Sequence, residues 1–138
     1  MIEALDTSVL ILRERDPAAR AWLAPRLHAN TVSICDVVAM EYLMGARNGR
    51  DYDRIRDALD ACIRVAIEPE DWRRAFDVQR RLAHETGRGQ RAVKIPDLLI
   101  AAAAERAGHS LVHYDEDFDR IAALTEQPTS WVVPAGTA

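Results

Sequence analysis

Short apolar runs alternate with longer stretches of helical periodicity along the whole chain, and no other feature restricts the fold as strongly. Ile2–Leu5, Thr31–Ile34, Ile63–Ile67, Ser110–His113 and Ser130–Val133 read as strands. Helices are expected over 8–15, 17–29, 36–47, 51–61, 70–86, 96–107 and 117–124. Strands separated by helices do not close as hairpins. They pair in parallel, and the crossover helices cover both faces of the sheet. The expectation is therefore an α/β chain with a mostly parallel central sheet and a layer of helices on each side.

Local signals refine this. Asp16 suits a helix cap ahead of Pro17, and Gly87 and Gly108 mark helix ends. Asn48-Gly49 is read as the end of the helix that starts at Asp36. Tyr52, Ile55, Leu59 and Cys62 share one face of the following helix, and Trp72, Ala75, Phe76, Val78, Leu82 and Ala83 give the next its apolar character. No repeat or linker divides the sequence, so residues 1–138 are expected to form one domain.

Composition excludes several functions. The longest apolar run, Leu98 to Ala104, is far below the roughly 20 residues that a bilayer requires. The start lacks a basic segment followed by an apolar one, so no secretory signal is visible. Cys35 and Cys62 fit neither a disulfide framework nor a zinc pattern; they read as small core residues of a cytoplasmic protein. A net charge of −4 argues against gripping nucleic acid by charge alone. It is compatible with acids gathered in a pocket, where a bound metal ion reverses the field.

Four acidic segments carry the chemistry. Asp6 ends the first strand, where an ordinary turn or helix cap is one reading and a metal ligand backed by the hydroxyl of Thr7 or Ser8 is the other. Glu41 sits in Val37-Val38-Ala39-Met40-Glu41-Tyr42-Leu43-Met44, a helix expected to be buried almost all round. A carboxylate there needs an arginine, a proton or a metal ion. Asp97 opens a strongly apolar helix, where it complements the helix dipole or coordinates metal. Asp115 and Asp117 follow the fourth strand in an acidic loop, solvated or turned towards the same rim. Acids beyond the carboxyl ends of parallel strands share one crevice, and like charges meeting there call for a cation. Oxygen ligands from several elements suit Mg²⁺.

These segments resemble the PIN-domain ribonucleases, in particular the VapC-type toxins of toxin–antitoxin pairs. Leu5-Asp6-Thr7-Ser8 is similar to the first motif of that family, and Glu41-Tyr42-Leu43-Met44-Gly45 to the second. Pro96-Asp97-Leu98-Leu99-Ile100-Ala101-Ala102 resembles the third, and His113-Tyr114-Asp115-Glu116-Asp117-Phe118 the last. The four occur in order over essentially the whole chain. The resemblance implies a PIN-like three-layer α/β/α sandwich and Mg²⁺- or Mn²⁺-dependent hydrolysis of RNA, leaving a 5′-phosphate and a 3′-hydroxyl. It implies Asp6 and Asp97 as direct metal ligands, Glu41 and Asp115 as acids of a second metal or of water positioning, and Asp117 as a less constant acid. It also implies a homodimer inhibited by a small VapB-type antitoxin. His113 departs from the pattern, because many relatives carry a small hydroxyl or amide residue there.

Arg88, Arg91 and Lys94 lie in an acid-free stretch leading into Asp97, either a solubilising loop or an arm for RNA phosphates. Arg47 and Arg50 form a second candidate patch. A haloacid-type phosphatase would need an acid at Ser8, and a receiver domain would need a late lysine, whereas Lys94 is the sole lysine and precedes a helix. The alternative from another class is a catalytically silent PIN scaffold that binds RNA or protein.

Overall fold

In the computed structural model, which describes residues 1–138, all five apolar runs become strands of one parallel sheet. Along the chain these are β1 (Glu3–Leu5), α1 (Thr7–Leu12), α2 (Pro17–His28), β2 (Val32–Cys35), α3 (Asp36–Leu43) and α4 (Gly49–Leu59). There follow β3 (Ile63–Val65), α5 (Pro69–Glu85), α6 (Ile95–Ala107), β4 (Ser110–His113), α7 (Asp117–Thr125) and β5 (Thr129–Trp131). A 3-10 turn, Gln90–Ala92, interrupts the loop between α5 and α6.

The strand order is β3-β2-β1-β4-β5. From central β1 the chain first builds outward through β2 and β3, then returns to β4 on the other side. The connections therefore diverge between β1 and β4, which opens a crevice at their carboxyl ends. All four residues of β2 are buried, as are Leu111, Val112 and His113 of β4. Every residue of α6 from Asp97 to Ala104 is buried, a consequence of its nearly uniform small and aliphatic sequence. That burial drives the amino end of α6 into the crevice rather than onto the surface.

Some boundaries differ from expectation for local reasons. The first helix stops at Leu12, because Asp16 must be extended to cap α2 and accepts the Ala19 N–H. Asn48-Gly49 opens α4 instead of closing α3, which ends at Leu43. The Asn48 side chain accepts the Asp51 N–H at 2.8 Å, and the Asp51 carboxylate accepts the Arg47 N–H at 3.0 Å. Asparagine serves both helix ends, and the acid three residues later decides in favour of the start. In α5, Asp71, Ala75, Val78 and Leu82 face inward, leaving Trp72 and Phe76 at 48% and 67% exposure. Cys35 and Cys62 are both buried and unpaired. Gly108 closes α6 at φ +73°, a left-handed geometry that disfavours a side chain.

One buried acid lies far from the crevice. Asp71 accepts two hydrogen bonds from the Arg106 guanidinium, at 2.9 and 3.1 Å, and one from the Glu68 N–H at 2.9 Å. Arg106 also donates to the Ala66 carbonyl at 2.6 Å, so one pair ties the start of α5 to the end of α6. Asp71→Ala strands that guanidinium and removes the cap, so it is expected to cost about 2–4 kcal/mol in urea unfolding.

Candidate metal centre

Asp6 leaves β1 in an extended conformation, its N–H donated to the Val112 carbonyl at 3.0 Å, so the sheet register itself fixes where this carboxylate emerges. The side chain then turns back to cap α1. Oδ2 accepts the Ser8 N–H at 3.0 Å and the Ser8 hydroxyl as well. Ser8 Oγ in turn accepts the Tyr114 N–H at 2.9 Å. One serine thus joins the two walls of the crevice while holding Asp6. Burial pushes the Asp6 carboxyl above its ordinary value, against the opposing hydrogen bonds from Ser8.

Thr7 serves a different acid. Its hydroxyl donates to Glu41 Oε1 at 2.6 Å, so adjacent hydroxyls orient carboxylates from two separate elements. The helix that carries Glu41 is not buried all round, contrary to the expectation from its apolar sequence. Met40 and Met44 are 71% and 86% exposed, and Glu41 itself is only partly buried. The inward demand is met by Val38, Ala39 and Leu43, with Val37 and Tyr42 packed half-buried against the core. No arginine pairs with Glu41; its partner is Thr7.

Asp97 occupies the first turn of α6 at 4% exposure, and its Oδ2 makes no hydrogen bond. Burial raises its carboxyl well above the ordinary value, and the neighbouring Asp117 and Asp6 add to the effect. Asp115 Oδ1 accepts the Asp117 N–H at 2.9 Å. Asp117 Oδ2 accepts the Lys94 N–H at 3.2 Å, and Oδ1 accepts from Arg120 at 3.0 Å. Carboxylate oxygens of Asp97, Asp115 and Asp117 lie within 4.8 Å of one another. Although burial opposes ionisation of Asp117, the adjacent Asp97 carboxyl and the hydrogen bonds it accepts from Lys94 hold it below the ordinary carboxylate value.

His113 supports this loop from inside. It is wholly buried, with ring centroids 5.2 Å from Phe118 and 5.0 Å from Trp131. Burial lowers its pKa, which keeps the ring neutral. Its Nδ1 accepts the Asp115 N–H at 3.2 Å, which places the ring proton on Nε2. The residue that departs from the family pattern is therefore built into the aromatic packing, and it fixes the backbone of Asp115 by one hydrogen bond.

Asp6, Glu41, Asp97 and Asp115 line a single hollow of about 330 Å³, with Lys94 and Met44 at its edge. Asp117 stands against Asp97 and Asp115 behind them. All three basic residues in the loop are exposed, but the Lys94 ammonium reaches over to the acids. Its Nζ lies 3.1 Å from Asp115, 3.1 Å from Asp117 and 3.4 Å from Asp97. The hydrogen bonds it donates to Asp115 and Asp117, with the nearby charge of Asp97, outweigh desolvation and keep the ammonium charged. Arg47, from the second candidate patch, is tied to Asp51. Sequence reasoning missed the reach of Lys94 to the acids; the available signal was its position three residues before Asp97, at the cap of α6. Hard oxygen donors from separate elements, one of them buried without a hydrogen bond, fit a divalent metal ion.

A parallel sheet with acids converging at its switch point is the arrangement of the PIN domain, and residues 4–124 match that family. The chain belongs to it. Within the family it stands in the VapC group: it is 48% identical to Ribonuclease VapC18 of Mycobacterium tuberculosis over 137 residues, covering 99% of each chain. Ribonuclease VapC51 of the same species is 46% identical over 133 residues, covering 96% of this chain and 94% of that one. Among solved structures, DNA-bound VapBC from Salmonella typhimurium superposes with a TM-score of 0.75 at 18% identity, covering 96% of this chain and all of that one. VapBC-1 from nontypeable Haemophilus influenzae gives a TM-score of 0.71 at 20% identity, covering 96% and 98%. At such identities the superpositions establish the fold. No helix is long and apolar enough to cross a membrane.

Proposed function

We propose that this chain is a metal-dependent endoribonuclease, the toxin of a toxin–antitoxin pair, which hydrolyses RNA phosphodiester bonds at the hollow between β1 and β4. The observation that carries this reading is the meeting of Asp6, Glu41, Asp97 and Asp115, from four distant segments, around one hollow. The names of the relatives, Ribonuclease VapC18 and VapC51, point the same way. Asp6, Asp97, Asp115 and Asp117 would hold the ion, Mg²⁺ or Mn²⁺, and Glu41 completes the acidic set. When bound, a divalent ion supplies a Lewis acid and lowers the pKa of a coordinated water.

The protein's own groups supply the positioning. Ser8 fixes the Asp6 carboxylate, Thr7 fixes Glu41, and His113 fixes the Asp115 backbone. Held by Thr7, Glu41 would orient water for in-line attack on a phosphate. Neither Cys35 nor Cys62 lines the hollow, and both are buried, so neither thiol is available there as a nucleophile.

Arg88 and Arg91 are exposed in the loop that precedes Asp97 in sequence, where they would meet RNA phosphates. Neutralising both with Gln is expected to weaken RNA binding and lower the salt slope by about 1–2, roughly 0.7 per phosphate contact on a single strand. An unchanged slope removes the arm from the RNA path. The likeness to VapBC structures supports a VapB-type antitoxin for this chain. A homodimer, residues 1–138 as one domain and a cytoplasmic setting complete the reading.

The experiment is incubation of the purified protein with single-stranded and stem-loop RNAs in Mg²⁺ or Mn²⁺. Fragments with a 5′-phosphate and a 3′-hydroxyl are expected. RNA that is bound but left intact would identify a silent scaffold.

A further inference from the structure

We propose that Lys94 is a built-in counter-ion of the acidic cluster: it competes with the divalent ion for the same oxygens, and metal binding turns it outward. This rests on the metal-dependent reading above. Lys94 is the only lysine in the sequence. Its Nζ contacts Oδ2 of Asp97, Asp115 and Asp117 at 3.4, 3.1 and 3.1 Å, which puts one positive charge among three carboxylates. Mg²⁺ holds oxygen at about 2.0–2.1 Å, so an ion and an ammonium cannot share those oxygens without placing two cations in near contact.

Displacement is mechanically simple. The backbone of Lys94 is anchored, since its N–H donates to Asp117 at 3.2 Å and its carbonyl accepts the Asp97 N–H at 3.1 Å. The side chain is not: 64% of it is exposed, and its polar contacts in the cluster are to the acids alone. A flexible chain of methylenes lets the ammonium leave while the cap of α6 stays in place. Part of the acidic charge is thus offset in either state, first by the lysine and then by metal. The chain folds with part of its site charge already compensated, and the metal's apparent affinity is lowered by the cost of displacing the ammonium.

The test is Mn²⁺ titration, read as the electron paramagnetic resonance of the free ion, on wild type, Lys94→Met and Lys94→Arg. Lys94→Met is expected to bind Mn²⁺ about tenfold more tightly, because a unit charge is removed at contact distance. Lys94→Arg, which keeps the charge, is expected to stay within about threefold of wild type. A second readout uses the wild-type protein alone. Acetylation of Lys94 by a water-soluble succinimidyl ester, followed by mass spectrometry, should accelerate several-fold with Mg²⁺ and saturate with the ion. It decides the matter if Lys94→Met does not fold. Equal Mn²⁺ affinity in all three proteins, or acetylation indifferent to Mg²⁺, overturns the counter-ion role alone. Absence of Mn²⁺ binding in both wild type and Lys94→Met overturns the metal reading, and this inference with it.

Discussion

Asp97→Asn is expected to lower RNA cleavage by about 10²–10⁴-fold and, at the same time, to stabilise the metal-free protein. The first effect follows from losing one metal-binding carboxylate: several kcal/mol of charge stabilisation, at about 1.36 kcal/mol per tenfold in rate. The second follows from burial. Asp97 is 4% exposed, its Oδ2 has no hydrogen bond, and its pKa is raised by desolvation and by neighbouring acids. A carboxyl whose folded pKa is raised binds its proton more tightly when folded. Its contribution is fully present below the unfolded value, about 3.9, and it is lost as pH rises through the folded value. The metal-free wild type should therefore lose stability above about pH 4, by on the order of 1–2 kcal/mol at neutrality, and asparagine removes that loss. Melting curves of both proteins from about pH 5 to 8 should diverge as pH rises. Saturating Mg²⁺ should reverse the order, because it stabilises only the protein that binds it. An Asp97→Asn variant that is unstable throughout would mean that the carboxylate is structural.

Removal of divalent metal is expected to have an effect as large, and it requires no mutation. Cleavage in excess EDTA should fall to background and return on addition of Mg²⁺ or Mn²⁺. The fold should survive the treatment. The core consists of 30 buried apolar residues that do not depend on the crevice, and Lys94 offsets part of the acidic charge in the absence of an ion. Circular dichroism should therefore be nearly unchanged while activity is lost. Cleavage that persists fully in EDTA would show that the reaction does not depend on a metal held by these carboxylates.

The sheet is readable from the sequence because strand and helix periods differ and the runs alternate cleanly. Asp6 and Asp115 fall on one rim for the same reason, since strands of a parallel sheet end on one side. Glu41 and Asp97 stand out through the apolar context that surrounds them, although that context overstates the burial of α3. Met40 and Met44 look like core residues in one dimension and lie on the surface in three. Trp72 and Phe76 show the same ambiguity, since an apolar side chain one position off the inward stripe scores like a core residue in any window. Asn48 reads as the wrong helix end because asparagine serves both, and only Asp51 resolves it. Lys94 looks like one cation in a basic loop. Its reach into the cluster depends on the α6 cap and on Asp115 and Asp117, which are distant in sequence. The support that His113 gives to Asp115 depends likewise on Phe118 and Trp131 closing around it.

The functional reading turns on a cation bound by carboxylates from separate segments. The most direct measurement is anomalous diffraction from crystals grown with Mn²⁺, collected near the manganese edge. The expected result is a peak coordinated by Asp97 with Asp6, Asp115 or both, and a Lys94 ammonium moved off the acids. An anomalous map with no peak in the hollow at saturating Mn²⁺, while Lys94 remains on Asp115 and Asp117, would contradict it.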